Sequence, residues 1–346
     1  MEQAVLYQLH TDKTTLVEAY GESRQGGRAE NQDNAWGIDT KFGFLVTVCD
    51  GMGGGPGGRT ASTIAVKTIL DSVCDASEDE DPANVVVRAV CSANMAIYQM
   101  GEQQPRLKGM GSTCTVVLFT PQSAIVAHVG DSRVYQLRGH RKVFRTFDHS
   151  YVFGLVQKKL ITEEQARLSA QSNIITQALG IKPDVDVECT ERPYRKGDLF
   201  ILCSDGIHGT MPEPQLIKML TGKYISIASM IDDACTTVDN LGMNQGGGHD
   251  NLTIVAACTQ TNSKLKEKMN RQAKITILVL GILLFCSIGL NIYQAFFADK
   301  TGKTTTDNDV KTEITEDKKE DKETADKSDN KDKSDSEAEQ NKDEVK

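Results

Sequence analysis

The stretch NAWGIDTKFGFLVTVCD, Asn34 to Asp50, holds two runs rich in β-branched and aromatic residues on either side of a turn near Thr40 to Phe42, the pattern of an antiparallel hairpin. Pairing the runs about that turn sets Asp33 opposite Asp50 at the open end. Asp50 then leads directly into Gly51-Met52-Gly53-Gly54-Gly55-Pro56-Gly57-Gly58. A glycine loop after a strand marks backbone that must come close to something, and here two carboxylates stand beside it.

Other acids fall in comparable places. A second hairpin, GSTCTVVLFTPQSAIVAHVGDSR from Gly111 to Arg133, turns at Pro121 and Gln122, and its mirror pairing brings Ser112 across from Asp131. GDLFILCSDG ends a strand at Asp205, and GHDNLTIVAA begins one just after Asp250. As antiparallel neighbours, these strands bring their two carboxylates to one edge. A single Asp before Gly at a strand end is ordinary turn chemistry. Several converging on one edge repel one another and do not all stay ionised without cations. Oxygen ligands without His or Cys select a hard ion such as Mg²⁺ or Mn²⁺.

Composition sets the frame. The chain has 346 residues, 39% of them hydrophobic, enough for a sizeable core. The segment 299–346 holds 17 acids against 11 lysines and no aromatic residue, so it cannot bury enough apolar surface to offset its ordering entropy and reads as a disordered acidic tail. It contributes −6 of the net charge of −9. Nothing is basic enough for nucleic acid. Before the tail, ITILVLGILLFCSIGLNIYQAFFA, Ile275 to Ala298, carries no charge over 24 residues, whereas about 20 suffice for a transmembrane helix. Five basic residues precede it (Lys264, Lys266, Lys268, Arg271, Lys274) and three follow (Lys300, Lys303, Lys311), which orients the preceding domain to the cytoplasm and the tail outside. The nine cysteines form no C-x-x-C pair. Several, among them Cys49, Cys114, Cys203 and Cys258, lie in apolar runs, as expected of small buried hydrophobes in a reducing compartment. The first residues carry no apolar signal-peptide core. The expected organisation is an N-terminal extension (1–12), a catalytic domain (13–260), a basic juxtamembrane linker (261–274), a transmembrane helix (275–298) and the tail (299–346).

Arg28 with Glu30-Asn31-Gln32-Asp33, then Asp50-Gly51-Met52-Gly53-Gly54, Gly111-Ser112-Thr113, Gly130-Asp131-Ser132-Arg133, Asp148-His149-Ser150, Ser204-Asp205-Gly206 and Asp250-Asn251-Leu252-Thr253 occur in one order. That set resembles the metal-dependent protein phosphatases, the protein phosphatase type 2C family, in their bacterial form, over residues 20–258. The resemblance implies an α+β fold, a four-layer α/β/β/α sandwich of two antiparallel sheets flanked by helices, with a binuclear Mn²⁺ or Mg²⁺ site at one edge. By position it implies that Asp50 bridges both ions, that the Gly51 carbonyl holds one and that Asp205 and Asp250 hold the other. Asp33 sits beside them, Asp131 helps bind a possible third ion, and Arg28 grips the substrate phosphate. Phosphoserine and phosphothreonine proteins are the implied substrates, opposite a Ser/Thr kinase, and residues 151–180 match the variable flap beside the active site.

Three positions depart from the family pattern. Met52 stands where eukaryotic members often carry His, Gln32 where many have Glu, and Gly209 where some supply a further Asp. His208, next to Gly209, reads as an incidental exposed histidine. Two other readings compete. Gly53-x-Gly55-x-x-Gly58 fits a dinucleotide-binding fingerprint, but Arg59 to Cys74 reads as one helix followed by an acidic loop rather than by a second strand. A catalytically inactive phosphatase fold serving as a binding module is the other, against which Asp50, Asp205 and Asp250 are all present.

Overall fold

In the computed structural model, which describes residues 5–9, 16–53, 56–266 and 271–301, the opening hairpin forms as its pattern predicts. It consists of β3 (Asp33–Thr40) and β4 (Gly43–Met52), following β1 (Val5–Leu9) and β2 (Val17–Arg24). Next come α1 (Pro56–Asp75), α2 (Pro82–Gln103), β5 (Gly111–Ser112), β6 (Cys114–Phe119), β7 (Ala124–Val129), β8 (Arg133–Arg138) and β9 (Arg141–Arg145). The remainder of the domain is α3 (Tyr151–Gln157), α4 (Glu163–Arg167), β10 (Glu188–Arg192), β11 (Leu199–Cys203), α5 (Asp205–Thr210), α6 (Glu213–Leu220), α7 (Ile227–Asn244) and β12 (Leu252–Thr259).

Two sheets form, in the orders β1-β2-β12-β11-β8-β9 and β10-β7-β6-β4-β3, and neighbouring strands pair antiparallel throughout. Strand β4 explains why they stack. Phe44, Val46 and Val48 point into the core between the sheets, while Leu45 and Cys49 face the other way, into a core shared with α1 and α2. A strand covered on both faces must be apolar at successive positions. A third core, with Ile201, Cys203, Leu216, Ile231, Val238 and Ile254, joins the first sheet to α5, α6 and α7. Three cores between four layers make the expected α/β/β/α sandwich. On α2 the buried residues Val86, Ala89, Val90, Ala93 and Ile97 recur at helical spacing, and Asp81 caps its start by accepting from the Asn84 N–H.

The register of the first hairpin is the expected one, with Asp33 and Asp50 as Cα partners. The second hairpin keeps the expected register from Cys114↔Val129 to Phe119↔Ala124, but Ser112 is not across from Asp131. Gly111 and Ser112 leave that ladder to pair with Met52 and Gly51, and Ser112 bridges Leu179 on its other side. Asp205 and Asp250 reach one edge because β11 and β12 are antiparallel neighbours. The helix read at Arg59 to Cys74 is α1, one residue longer at its end and three at its start.

The chain divides into two compact units, Met1–Lys268 and Met269–Lys346. Within the first, residues 5–9, read as part of an extension, form edge strand β1 against β2. Residues 263–265, read as linker, strap down onto the sandwich: the N–H groups of Ser263, Lys264 and Leu265 donate to the carbonyls of Tyr194, Pro121 and Gln122. All nine cysteines are free thiols. The second unit is described as α8 (Arg271–Thr301). Among the described residues no helix is long and apolar enough to cross a membrane. The transmembrane helix expected at 275–298 is therefore not supported by α8. The acidic tail lies outside the described residues beyond Thr301, as do residues 1–4 and 10–15, Gly54 and Gly55.

The glycines of the loop serve close packing as well as turning. A Cβ on Gly51 would stand 2.0 Å from the Gly58 carbonyl oxygen and 2.7 Å from that of Gln32, so the first turn of α1 can approach β4 only over glycine. A Cβ on Gly209 would meet nothing within 4 Å. Gly51→Ala is expected to destabilise the domain by about 1–3 kcal/mol, the usual cost of overpacking. Gly209→Ala, inside α5, should be neutral or stabilise by up to about 1 kcal/mol. Urea unfolding of both variants checks the contrast.

Candidate metal centre

Asp50 is held by its backbone, which leaves its carboxyl available. Its N–H donates to Thr113 Oγ1 at 2.9 Å, and its carbonyl accepts from the Thr113 N–H at 2.8 Å and from Ser112 Oγ at 3.0 Å. The Ser112 shift out of the second hairpin is what makes this clamp. The Asp50 carboxyl stands beside those of both Asp33 and Asp205. Asp33 Oδ2 accepts from Ser204 Oγ at 2.7 Å, and the Gly51 N–H donates to the Gln32 carbonyl at 3.2 Å.

These acids are not neutralised by the chain. Burial drives the Asp33 carboxyl up to about 6, opposed by the Thr253 and Ser204 hydroxyls. Burial, with the charge of Asp250 added, pushes Asp205 up to about 7. Asp50 and Asp131 are pushed well above the carboxylate range, by burial first and then by Asp33 and Asp205 around Asp50, and by Asp205 and Asp148 around Asp131. Two oxygens, Asp33 Oδ1 and Asp205 Oδ1, are buried without a hydrogen-bond partner. Such an atom costs on the order of 1–3 kcal/mol when nothing takes its lone pairs. An all-oxygen set with orphaned carboxylate oxygens fits a hard divalent cation. Among the described residues no three of the five aspartates bring oxygens within 4.8 Å of one another; they are spread about Asp50.

Arg28 and Asp250 lie at the rim. Arg28 Nη2 is 2.7 Å from Asp250 Oδ2, and Asp250 Oδ1 accepts from the Asn251 N–H at 2.9 Å. Arg28 thus lies at the rim with one donor turned on Asp250. Asn251, quoted in the sequence motif without a role, positions that rim. Its Oδ1 accepts from the Gln32 N–H at 2.9 Å, and its Nδ2 donates to the carbonyls of Gln25 and Glu30 at 2.7 and 3.0 Å, tying the Arg28 loop to β12.

His208 corrects the sequence reading. It is buried, not exposed. Burial and then the charge of Arg133 hold its imidazole well below the usual histidine range, so the ring is neutral and its Nε2–H donates to the Asp131 carbonyl at 3.0 Å. Its position two residues after Gly206, on the short helix α5 that Asp205 begins, was the available signal. Beside the acids opens a cavity of about 710 Å³, lined by Asp131, Asp205 and His208 together with Phe153, Glu163 and Arg167 of the 151–180 segment.

A second cluster, absent from the sequence reading, consists of His128, His149 and Glu188, whose ligand atoms lie within 4.8 Å of one another. His128 and Glu188 are cross-strand partners on β7 and β10. His128 Nε2–H donates to the Phe147 carbonyl at 2.8 Å, and His149 Nδ1 accepts from the Gly130 N–H at 3.2 Å. In the neutral ring this leaves the His149 proton on Nε2, facing Glu188 at 3.5 Å. Both Nε2 atoms carry hydrogens, so the cluster is a hydrogen-bonded brace rather than a set of open ligands.

Residues 20–246 match the family described as protein phosphatase 2C. The serine/threonine phosphatase stp of Listeria monocytogenes is 31% identical over 233 residues, which cover 66% of this chain and 87% of that one. Among solved structures, the serine/threonine phosphatase Stp1 from Staphylococcus aureus superposes with a TM-score of 0.66 at 26% identity, covering 73% of this chain and 98% of that one. The catalytic domain of the serine/threonine protein phosphatase PstP, solved in complex with two manganese ions, superposes with a TM-score of 0.58 at 29% identity, covering 70% and 98%. With residues 20–246 matched and a relative 31% identical over 233 residues, the chain belongs to the protein phosphatase 2C family of metal-dependent serine/threonine phosphatases.

Proposed function

We propose that the domain removes phosphate from phosphoserine and phosphothreonine in proteins, opposing a Ser/Thr kinase, at two Mn²⁺ or Mg²⁺ ions held around Asp50. The observation that carries this reading is the set of crowded carboxyls, two with orphaned buried oxygens, in a chain of this family. Asp50, the Gly51 carbonyl, Asp205 and Asp250 are the residues that would hold the pair, with Asp33 beside them and Asp131 toward a third. When bound, such ions activate water for in-line attack on phosphorus and offset charge on the phosphoryl oxygens. The chain's own residues do the positioning. Thr113 and Ser112 fix Asp50 through its backbone, Ser204 orients Asp33, and neutral His208 holds the Asp131 carbonyl. Arg28, half exposed at the rim, offers a planar fork of donors matched to phosphate oxygens.

We also propose that the domain is tethered to a membrane. The supports are the uncharged run 275–298 and its flanking basic residues. In this arrangement the phosphatase faces the cytoplasm and the segment after Asp299 lies outside.

Hydrolysis of a phosphothreonine peptide is expected to require Mn²⁺ or Mg²⁺ and to disappear on EDTA dialysis, and Asp50→Ala should lower kcat by at least about a hundredfold. Activity that survives dialysis sinks the reading.

Stability with metal stripped should depend on pH in a definite sense. Between about pH 4 and 7 the folded acids keep protons that the unfolded chain, with ordinary carboxyls, has lost. Stability from these groups is therefore greatest near pH 4 and falls as pH rises through the raised values. Mn²⁺ at about a hundred times its Kd should add about 2.7 kcal/mol near pH 7.5, raising Tm by about 5–10 °C, and much less at pH 4.5, where protons compete. Thermal scans at the two pH values check this.

Protease added to intact cells should trim the tail and spare the domain; the reverse pattern overturns the orientation, and a domain released into the soluble fraction on lysis overturns the tether.

A further inference from the structure

Arg145 ends β9 and is a buried cation with several partners outside the proposed metal ligands. Its side chain is 5% exposed. Nη1 reaches Glu163 Oε2 at 2.6 Å and Glu213 Oε2 at 2.7 Å, and Nη2 reaches Glu163 Oε1 at 3.2 Å. Glu163 begins α4 and Glu213 begins α6, so one guanidinium bridges the flap to the helical layer. Burial alone would raise the Glu213 carboxyl, but Lys142 and Arg145 outweigh it and hold the group lowered and charged. The same guanidinium lies 5.1 Å from the ring centre of Phe153 on α3, and Arg133 lies 4.9 Å from that ring. Phe153, 3% exposed, is thus held by two buried cations. Arg145 is not among the residues lining the cavity beside the acids, but Phe153, Glu163 and Glu213 are.

We propose that Arg145 is a positioning residue that pins α3 and α4 to the domain and so sets the wall of the cleft that meets a phosphoprotein's chain beyond its phosphate. The inference rests on the proposed phosphatase reading. A small ester such as p-nitrophenyl phosphate extends little past the acids, so its turnover is less sensitive to that wall than binding of a polypeptide is. Removing Arg145 leaves Glu163 and Glu213 without their shared partner and Phe153 with one cation in place of two.

The test uses full-length protein with Mn²⁺ and compares Arg145→Met, Arg145→Lys and Glu163→Gln with the parent. Hydrogen exchange across 151–168 should quicken roughly tenfold or more in Arg145→Met, with β6 and β11 unchanged, and KM for a phosphothreonine peptide should rise about fivefold or more while KM for p-nitrophenyl phosphate stays within about twofold. Arg145→Lys, which keeps the charge and loses the fork, should fall between. If Arg145→Met does not fold, Glu163→Gln decides, because it cuts only the α4 end of the bridge and leaves Arg145 on Glu213. Unchanged exchange across 151–168, or equal KM changes for both substrates, overturns the proposal. A parent protein without metal-dependent hydrolysis refutes the phosphatase reading instead, and the exchange result stands apart from it.

Discussion

Mutual repulsion among carboxyls at one edge of the sandwich is the constraint around which the domain is organised. Asp33, Asp50, Asp131, Asp205 and Asp250 come from both sheets, and burial raises the proton affinity of four of them. A chain gains nothing in its own stability from such a cluster, because each added carboxylate makes its neighbours harder to ionise. What holds the acids is backbone and hydroxyl hydrogen bonding that leaves carboxylate oxygens open, seen in the Thr113 clamp on Asp50 and in Ser204 on Asp33. The remaining layers supply the rigidity that makes this arrangement affordable. Three separate apolar cores fix both sheets, so the acids cannot relax by moving apart.

Much of that edge was legible in the chain because hairpin geometry is local. Once the turn at Thr40 to Phe42 is placed, the partnership of Asp33 and Asp50 follows by counting, and the structure has it. Counting failed at Ser112, where the ladder it assumed stops two residues short and Gly51 takes the serine instead; a competing partner 61 residues away in sequence leaves no local mark. Val5 to Leu9 has no alternating apolar pattern that announces a strand, and it pairs with β2. The short helices α3, α4 and α5 span two turns or fewer and carry too little periodicity to read from the sequence.

Long-range polar contacts were the least legible. Arg145 finds Glu163 and Glu213 at separations of 18 and 68 residues, and nothing in the local pattern of RKVFR distinguishes it from its basic neighbours. His208 was misread for a related reason: a histidine beside Gly209 looks like surface, and its burial depends on the approach of the Asp131 loop from another strand.

The strap at Ser263 to Leu265 has a mechanical consequence. It fastens to Tyr194 and to the turn of the second hairpin at Pro121 and Gln122, whereas the acids gather beyond the opposite ends of β6 and β7. Six residues of β6 at about 3.4 Å each separate the two ends by about 20 Å. A pull on the chain after Lys266 therefore meets the strap hydrogen bonds of Ser263, Lys264 and Leu265 first, at the end of the second hairpin remote from Asp50.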